Sequence, residues 1–506
     1  MVRASASGAG GPRRPAAALR VLHVGAEIFP LVKTGGLADV MGALPVALTH
    51  AGADTRVLLP ALAPLRAAMR DSRVVAAIEL PWGGEPAELL RGHLDVPALA
   101  GLQVYLLRHA GLYARTGTPY GDGSGKPFAD NQRRFAALGL AAARLAEGID
   151  ATWRAQIVHG HDWHAGFAAA YLAYARSAGK TQAASVFTVH NLAYQGLFPP
   201  ASFAELGLPA EAYATHGVEF HHQLSFMKAG LHFADRVTTV SPTYAREIQG
   251  HELGCGFDGL LRSRTKVLSG ILNGVDEAVW NPATDLSIAQ PYSAERMAGK
   301  AACKAALQCE CGLDLQTDAP LFTVVSRLTD QKGLHLLAEA LPAIVERGAQ
   351  LVVLGSGDAA LEAVFARAAK GHPHQVTLRQ GYDEALAHRI FAGSDVSLVP
   401  SRFEPCGLTQ LYALKYGSLP LVRRTGGLAD TVVDCTLEDL ADERATGFVF
   451  ERFDAADLTR ALRRAFALWA RPSDWGCVRG RAMAQHFGWD SAAKSYLALY
   501  AEVLNA

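Results

Sequence analysis

The stretch RVLHVGAEIFPLVKTGGLAD, residues 20–39, runs from a short apolar segment through a proline-containing turn to two adjacent glycines and the start of an apolar-periodic helix. The segment Arg20–Val24 is typical of a buried strand. A strand, a loop and a helix in this order form the unit from which helix-covered parallel sheets are built. The sequence therefore predicts an α/β fold.

The same alternation continues along the chain in two series. Ten more strands are predicted, at Thr55–Leu59, Gln103–Leu107, Gln156–His159, Ser185–Val189, Arg236–Val240, Leu321–Val325, Leu351–Leu354, Gln375–Leu378, Asp395–Val399 and Leu419–Val422. A passage with Pro, Asn and Asp around 281–291 separates the series. We predict two doubly wound, Rossmann-like domains with a boundary near residue 265, preceded by a disordered extension at 1–18 that is rich in Ala, Gly, Ser and Pro.

Composition excludes several classes of protein. The 506 residues carry 48 Lys and Arg against 48 Asp and Glu, and this balance argues against nucleic acid or an anionic membrane as the main partner. No apolar run approaches the roughly 18 residues of a membrane span. Seven scattered cysteines without zinc-site spacing favour a reducing, cytoplasmic location over a disulfide framework.

One hexapeptide occurs twice. Thr-Gly-Gly-Leu-Ala-Asp stands at 34–39 and again at 425–430, each time where a loop turns into a helix. Glycines at such a place allow free backbone N–H groups to face an anion. In the first copy Lys33 adds a charge that suits phosphate, although a tight turn with a solvated lysine is an equally simple interpretation. Neither the Walker pattern nor G-x-G-x-x-G is present.

Polar side chains follow two other strands of the first series. Asp162 lies in the run HGHDWHAG, 159–166, and His190 and Asn191 follow the next strand, so all three are predicted at the carboxyl edge of the sheet, where open α/β sheets bind ligands. The clustered histidines are compatible with a zinc site, but the sequence shows no H-E-x-x-H pattern and no obvious third zinc ligand. Hydrogen bonding or packing is the favoured interpretation.

The second series offers a second set of candidates. Arg327 and Lys332 lie five residues apart in a turn after a strand, where two cations can converge on a diphosphate or belong to a solvated loop. The ring of Tyr382 can stack on a nucleotide base, or it can pack against other side chains of the protein. Glu404 lies in the run PSRFEPCGLTQ, 400–410. Its carboxylate can bind a sugar hydroxyl beside the free N–H groups of the following helix, or it can cap the N-terminus of that helix.

Six ordered motifs together resemble one family, the bacterial glycogen synthases, which are ADP-glucose-dependent glycosyltransferases of the two-domain GT-B architecture related to plant starch synthases. The motifs are KTGGLAD at 33–39, HDWH at 161–164, VHN at 189–191, LNGVD at 272–276, SRL with KG at 326–333, and FEPCGL at 403–408. The resemblance runs from about residue 19 to the C-terminus. It implies a glucan-acceptor domain at 19–265, a nucleotide-sugar domain at 266–486, and a terminal helix at 487–506 that crosses back to the first domain, with a cleft between the domains.

The resemblance also implies a role for individual residues. The implied catalytic residues are His190, Arg327, Lys332 and Glu404. The implied substrate-binding residues are Lys33, Gly35, Gly36, Asp39, Asp162, Asn191, Asn273, Tyr382, Cys406, Gly407, Leu408 and Thr409. No metal and no cofactor is implied. The expected reaction moves glucose from ADP-glucose to the 4-hydroxyl at the non-reducing end of an α-1,4-glucan, such as glycogen or a maltooligosaccharide, with retention of configuration.

Related GT-B families carry a second glutamate eight residues after the first, and here that position is Tyr412. Bacterial glycogen synthases share this departure, which favours them over sucrose and trehalose-type synthases. Three alternatives stay open: a UDP-glucose-dependent transferase, a non-catalytic glucan-binding protein, and a dehydrogenase, the last disfavoured because G-x-G-x-x-G is missing.

Overall fold

A computed structural model describes residues 18–505 of the chain. The predicted extension 1–18 therefore lies outside the described residues except for Ala18. The strands are β1 Arg20–Val24, β2 Asp54–Pro60, β3 Met69–Ile78, β4 Ala87–Leu94, β5 Gln103–Arg108, β6 Ile157–His161, β7 Ala184–Val189, β8 Leu197–Phe198, β9 Glu219–Phe220, β10 Gln223–Ser225, β11 Arg236–Thr239, β12 Leu268–Gly270, β13 Leu321–Val325, β14 Gln350–Gly355, β15 Val376–Gln380, β16 Val396–Val399, β17 Leu419–Arg423 and β18 Phe448–Phe450.

Helices connect nearly all of the parallel strands. They are α1 Gly36–His50, α2 Ala63–Ala68, α3 Ala110–Tyr113, α4 Asn131–Glu147, α5 Gly166–Ser177, α6 Phe226–Phe233, α7 Pro242–Glu247, α8 Asp258–Ser263, α9 Ala298–Cys311, α10 Leu334–Ala340, α11 Pro342–Val345, α12 Ala359–Gly371, α13 Glu384–Gly393, α14 Thr409–Lys415, α15 Gly426–Thr431, α16 Leu437–Ala441, α17 Ala455–Trp469, α18 Pro472–Met483 and α19 Trp489–Leu504. Within residues 18–505, none of the helices combines the length and the hydrophobicity that a membrane span requires.

The chain forms two doubly wound lobes, which confirms the predicted fold class. In the first lobe a nine-stranded sheet has the order β12-β11-β7-β6-β1-β2-β5-β4-β3, and its strands run in one direction except for β4, which is antiparallel to both β5 and β3. In the second lobe a six-stranded parallel sheet has the order β15-β14-β13-β16-β17-β18. Strand order reverses between β1 and β6 in the first sheet and between β13 and β16 in the second, and such reversals open a crevice at the carboxyl edge.

All eleven predicted strands are present, but the sequence analysis missed the strands β3 and β4, the short strands β8, β9 and β10, and the edge strands β12 and β18. Residues 70–73 of β3 are exposed, so this antiparallel edge strand lacks the apolar run of a strand that is buried on both faces. The last strand of the first sheet, β12, lies just beyond the predicted boundary near residue 265. The domain limits themselves stay a prediction.

The last helix packs on the first lobe rather than on the second, which precedes it. Its buried face, including Trp489, Tyr496 and Tyr500, forms an apolar cluster with Val40 and Leu44 of α1 and with β1, β6 and β7. Burial of aromatic side chains of this size is worth roughly 2 kcal/mol each. The C-terminal residues are therefore part of the core of the first lobe.

Candidate active site between the two lobes

The KTGG loop of the first lobe faces the second lobe across the cleft. Lys33 Nζ lies 2.9 Å from Asp39 Oδ1 and 3.9 Å from Glu384 Oε2, which belongs to the start of α13 in the other lobe. A Cβ atom at Gly35 would meet nothing within 4 Å, and one at Gly36 would lie 3.8 Å from Leu408 Cδ1. These glycines therefore border open space, where a ligand can approach the backbone. Burial has the largest effect on the Asp39 carboxyl and raises its pKa.

A buried acid that sequence analysis missed fixes this loop. Glu27 is 2% exposed and accepts hydrogen bonds from the Thr34 backbone N–H at 2.6 Å, from Thr34 Oγ1 at 2.5 Å, and from the Tyr120 hydroxyl. The only signal in the sequence was its position just after β1. Tyr120 lies in a glycine-containing loop, far along the chain, that carried no signal. The Glu27 carboxylate, which belongs to the same lobe, therefore fixes the position of the KTGG loop.

Asp162, His190 and Asn191 come together at the carboxyl edge of β6 and β7. Asp162 Oδ1 accepts the backbone N–H groups of His190 at 3.0 Å and Asn191 at 3.4 Å. Its φ of 59° places this non-glycine residue in the left-handed region, a strain that often accompanies functional sites. Burial raises the pKa of Asp162 to about 7, opposed by the two N–H groups. Burial also lowers the pKa of His190 to about 3, so its imidazole is neutral near pH 7.

The neighbouring histidines form a hydrogen-bonded chain. His190 Nε2 lies 3.0 Å from His161 Nδ1, and His161 Nε2 lies 2.9 Å from His23 Nδ1. His159 is bonded to the Tyr500 hydroxyl at 2.7 Å and to Thr188 Oγ1 at 2.6 Å. The ring nitrogens of His23, His159 and His161 lie within 4.8 Å of one another, but both nitrogens of His159 and His161 are already paired. The arrangement fits hydrogen bonding better than a zinc site.

The carboxyl edge of the second sheet carries a close ion pair. Lys332 Nζ lies 2.6 Å from Glu404 Oε2, and this oxygen also accepts the Ser401 hydroxyl at 2.9 Å. Glu404 is 7% exposed, so the carboxylate is held at the site and not in solvent. Arg327, by contrast, is exposed, and its guanidinium makes no hydrogen bond or ion pair within residues 18–505. Its guanidinium is available to an anion in the cleft.

The segment after Glu404 leads into α14. Gly407 has a φ of 73°, and a Cβ there would lie 2.3 Å from Gln410 Oε1, so glycine is needed. Burial raises the pKa of the Cys406 thiol to about 12, and the nearby backbone N–H of Asn273 opposes this shift, so Asn273 lies close to this loop. Leu408 and Thr409 are half-buried at the start of α14.

Two tyrosines border the cleft in different ways. Tyr382 is 64% exposed, and its hydroxyl donates to Glu384 Oε2 at 3.2 Å, so its ring lies beside the Lys33–Asp39 pair. Tyr412, at the position of the missing second glutamate, stacks on Trp280 with ring centroids 3.8 Å apart. The predicted site residues thus form three groups, namely Lys33, Gly35, Gly36, Asp39 and Tyr382; Asp162, His190 and Asn191; and Arg327, Lys332, Glu404, Asn273 and 406–409.

Known proteins match this chain over nearly its whole length. The model of the starch synthase catalytic domain matches residues 20–263, and that of glycosyl transferases group 1 matches 312–476. A glycogen synthase of Variovorax paradoxus is 58% identical over 492 residues, spanning 96% of this chain and 99% of the relative. The chain belongs to the glycogen synthase family. A glycogen synthase of Leptothrix cholodnii is 56% identical over 489 residues, which are 96% of this chain and 100% of the relative.

Solved structures of other proteins have the same two-lobed fold as this chain. The catalytic domain of starch synthase IV from Arabidopsis thaliana, bound to ADP and acarbose, superposes with a TM-score of 0.85 at 32% identity and covers 97% of this chain and 100% of that one. A sucrose-phosphate synthase of Thermosynechococcus elongatus, with a TM-score of 0.57 at 18% identity over 96% of this chain and 99% of that one, shares the fold. The chain is therefore a GT-B glycosyltransferase that transfers glucosyl groups in glycogen synthesis, acting on a nucleotide sugar and a glucan.

Proposed function

We propose that the chain transfers glucose from ADP-glucose to the non-reducing 4-hydroxyl of an α-1,4-glucan and retains the α configuration. The Lys332–Glu404 pair carries the proposal, because it places a cation and a carboxylate together at the edge of the second sheet. Support for the substrates comes from the starch synthase IV structure, which holds ADP and acarbose. The seven cysteines, all free, support a cytoplasmic location.

In the proposed reaction the bond between sugar C1 and the β-phosphate oxygen breaks, and its electron pair stays on the phosphate. Arg327 and Lys332 stabilise this charge together with the backbone N–H groups of Gly407, Leu408 and Thr409. The acceptor oxygen attacks C1 from the same face and passes its proton to the departing phosphate. Glu404 and Asp162 stabilise positive character on the sugar, and His190, Asn191 and Asn273 bind its hydroxyls.

The donor side of the cleft is assigned to the Lys33 loop. Lys33, with the N–H groups of Gly35 and Gly36, contacts the diphosphate from the first lobe. Asp39 holds Lys33 in place through the 2.9 Å ion pair. The exposed ring of Tyr382 is assigned to stack on the adenine.

The donor preference provides the direct test. We expect ADP-glucose to support glucan elongation at least about 10-fold faster than UDP-glucose, because the two-ring adenine covers more of the Tyr382 face than uracil does. The measurement is the release of ADP or UDP from each donor, with glycogen and with maltooligosaccharides as acceptors. Faster turnover of UDP-glucose would favour the rival UDP-dependent transferase, and no release from either donor would favour a glucan-binding protein.

The pH profile tests the role of Asp162. Because its pKa is raised to about 7, the folded protein holds a proton on this carboxyl at lower pH, and the charge needed in the transition state is lost. We expect kcat to be level above pH 7 and to fall by about 10-fold for each pH unit well below it. Asp162→Asn carries no titrating group, so its residual kcat is expected to lack this acid limb. An identical limb in both proteins would contradict the assignment.

A further inference from the structure

The two copies of Thr-Gly-Gly-Leu-Ala-Asp have different surroundings although their sequences are identical. The glycines of the first copy, Gly35 and Gly36, border the open cleft. In the second copy a Cβ on Gly426 would lie 1.9 Å from the Glu404 carbonyl oxygen, and one on Gly427 would lie 2.1 Å from the carbonyl oxygen of Cys406. The second copy is therefore packed against the loop that carries Glu404, and its glycines are required by contact with that backbone.

The backbone of the second copy is bonded to the same loop. The N–H of Gly427 lies 3.1 Å from the carbonyl oxygens of both Glu404 and Pro405. The Pro405 carbonyl also accepts the hydroxyl of Ser241, at 2.7 Å, from the start of α7 in the first lobe. The loop main chain is thus held both by the second copy and by the first lobe.

A glutamate of the first lobe in turn holds the second copy. Glu247, at the end of α7, accepts the Thr425 hydroxyl at 3.0 Å and the N–H of Gly426 at 3.0 and 3.1 Å. Close by, Asp430 accepts the backbone N–H and hydroxyl of Thr243 at 2.8 and 2.6 Å. The anion at the N–H groups of the second copy is therefore a carboxylate of this chain and not a ligand.

We propose that Glu247 is a positioning residue for the transfer reaction: by holding Thr425 and Gly426 it fixes the Gly426–Gly427 backbone, and through it the loop that places Glu404. Its effect is exerted from the first lobe on a residue of the second, so the catalytic loop is correctly placed only when the two lobes are docked. The inference rests on the proposed role of Glu404. Misplacement of a catalytic group by a fraction of an ångström to 1 Å is enough to change the rate strongly.

The test compares Glu247→Ala with Glu247→Gln. Alanine removes both acceptor oxygens, so we expect kcat to fall by about 10-fold or more while the KM for ADP-glucose stays within about twofold. Glutamine keeps one oxygen for the Gly426 N–H, and its amide can donate to the Thr425 hydroxyl, so kcat is expected to recover to within about threefold of the wild type. Glu252→Gln, an exposed carboxylate five residues further along, is the matched control and is expected to be unchanged.

Thr425→Val keeps the side-chain shape and removes one donor to Glu247, and it provides the measurement if Glu247→Ala does not fold. We expect it to lower kcat about threefold, again without a change in donor KM. A kcat for Glu247→Ala within twofold of the wild type would overturn the proposal, as would a glutamine variant as impaired as the alanine one. If Glu404 and Lys332 variants stay fully active, the proposed roles at the site fail, and this outcome is distinct from failure of the Glu247 variants alone.

Discussion

Replacing Lys332 or Arg327 with alanine is expected to lower kcat by about 10²-fold or more, the scale of losing one donor to developing negative charge. Both cations are assigned to the departing diphosphate, so their contribution grows as the phosphate oxygen gains charge. The KM for ADP-glucose is expected to change less than kcat. Steady-state kinetics at saturating glycogen, with the donor varied, measures the two parameters separately.

The two variants are expected to differ in stability. Lys332 neutralises the buried Glu404 carboxylate, so Lys332→Ala leaves a desolvated charge without its partner and is expected to lower the melting temperature as well. The Arg327 guanidinium is exposed and unpaired within residues 18–505, so Arg327→Ala is expected to lower kcat without lowering the melting temperature. Lys370→Ala, at an exposed lysine on α12, serves as the control. A rise in KM with unchanged kcat would show that the cations bind the ground state and the transition state equally.

Glu404→Gln is the second change with a large expected effect, again about 10²-fold or more in kcat. The amide has the shape of the carboxylate but no charge, so the variant isolates electrostatic stabilisation of the sugar from packing. Affinity for ADP, measured by calorimetry, is expected to remain close to that of the wild type. Glu346→Gln, at an exposed glutamate of the same lobe, controls for a general effect of losing a negative charge.

Two results would contradict this assignment of Glu404. Retention of most of the wild-type kcat by the glutamine variant would show that the charge is not used. Detection by mass spectrometry of a glucosyl adduct on Glu404 in the wild type would make the residue a nucleophile, and the same-face reaction would then be replaced by a two-step displacement.

The parallel strands were predictable because both of their faces are buried. β1 occupies Arg20–Val24, the predicted range, since strands covered by helices on both sides form continuous apolar runs. The strand β3 lies at the edge of the sheet and carries a run of exposed residues, so its pattern does not differ from that of a surface loop. Local hydrophobicity therefore identifies the centre of each sheet better than its edges.

The members of the candidate site were predictable in groups, but their contacts were not. Asp162, His190 and Asn191 follow neighbouring strands, so sheet topology alone brings them together. The approach of Lys33 to Glu384, and of Glu247 to Gly426, depends on how two separately folded sheets face each other, and no local pattern encodes that placement. For the same reason the sequence suggested equivalent anion-facing roles for the two hexapeptide copies, whereas only the first borders the cleft.

The placement of α19 has a consequence for how the chain is made. A ribosome completes β1 and α1 early, yet the aromatic residues that cover them, Tyr496 and Tyr500, are synthesised only after the whole second lobe. Until then the nascent first lobe displays a strip of Val40, Leu44 and Leu48 to water. Stop codons or frameshifts that remove α19 would leave that strip permanently uncovered, and such products would be expected to aggregate or to be degraded.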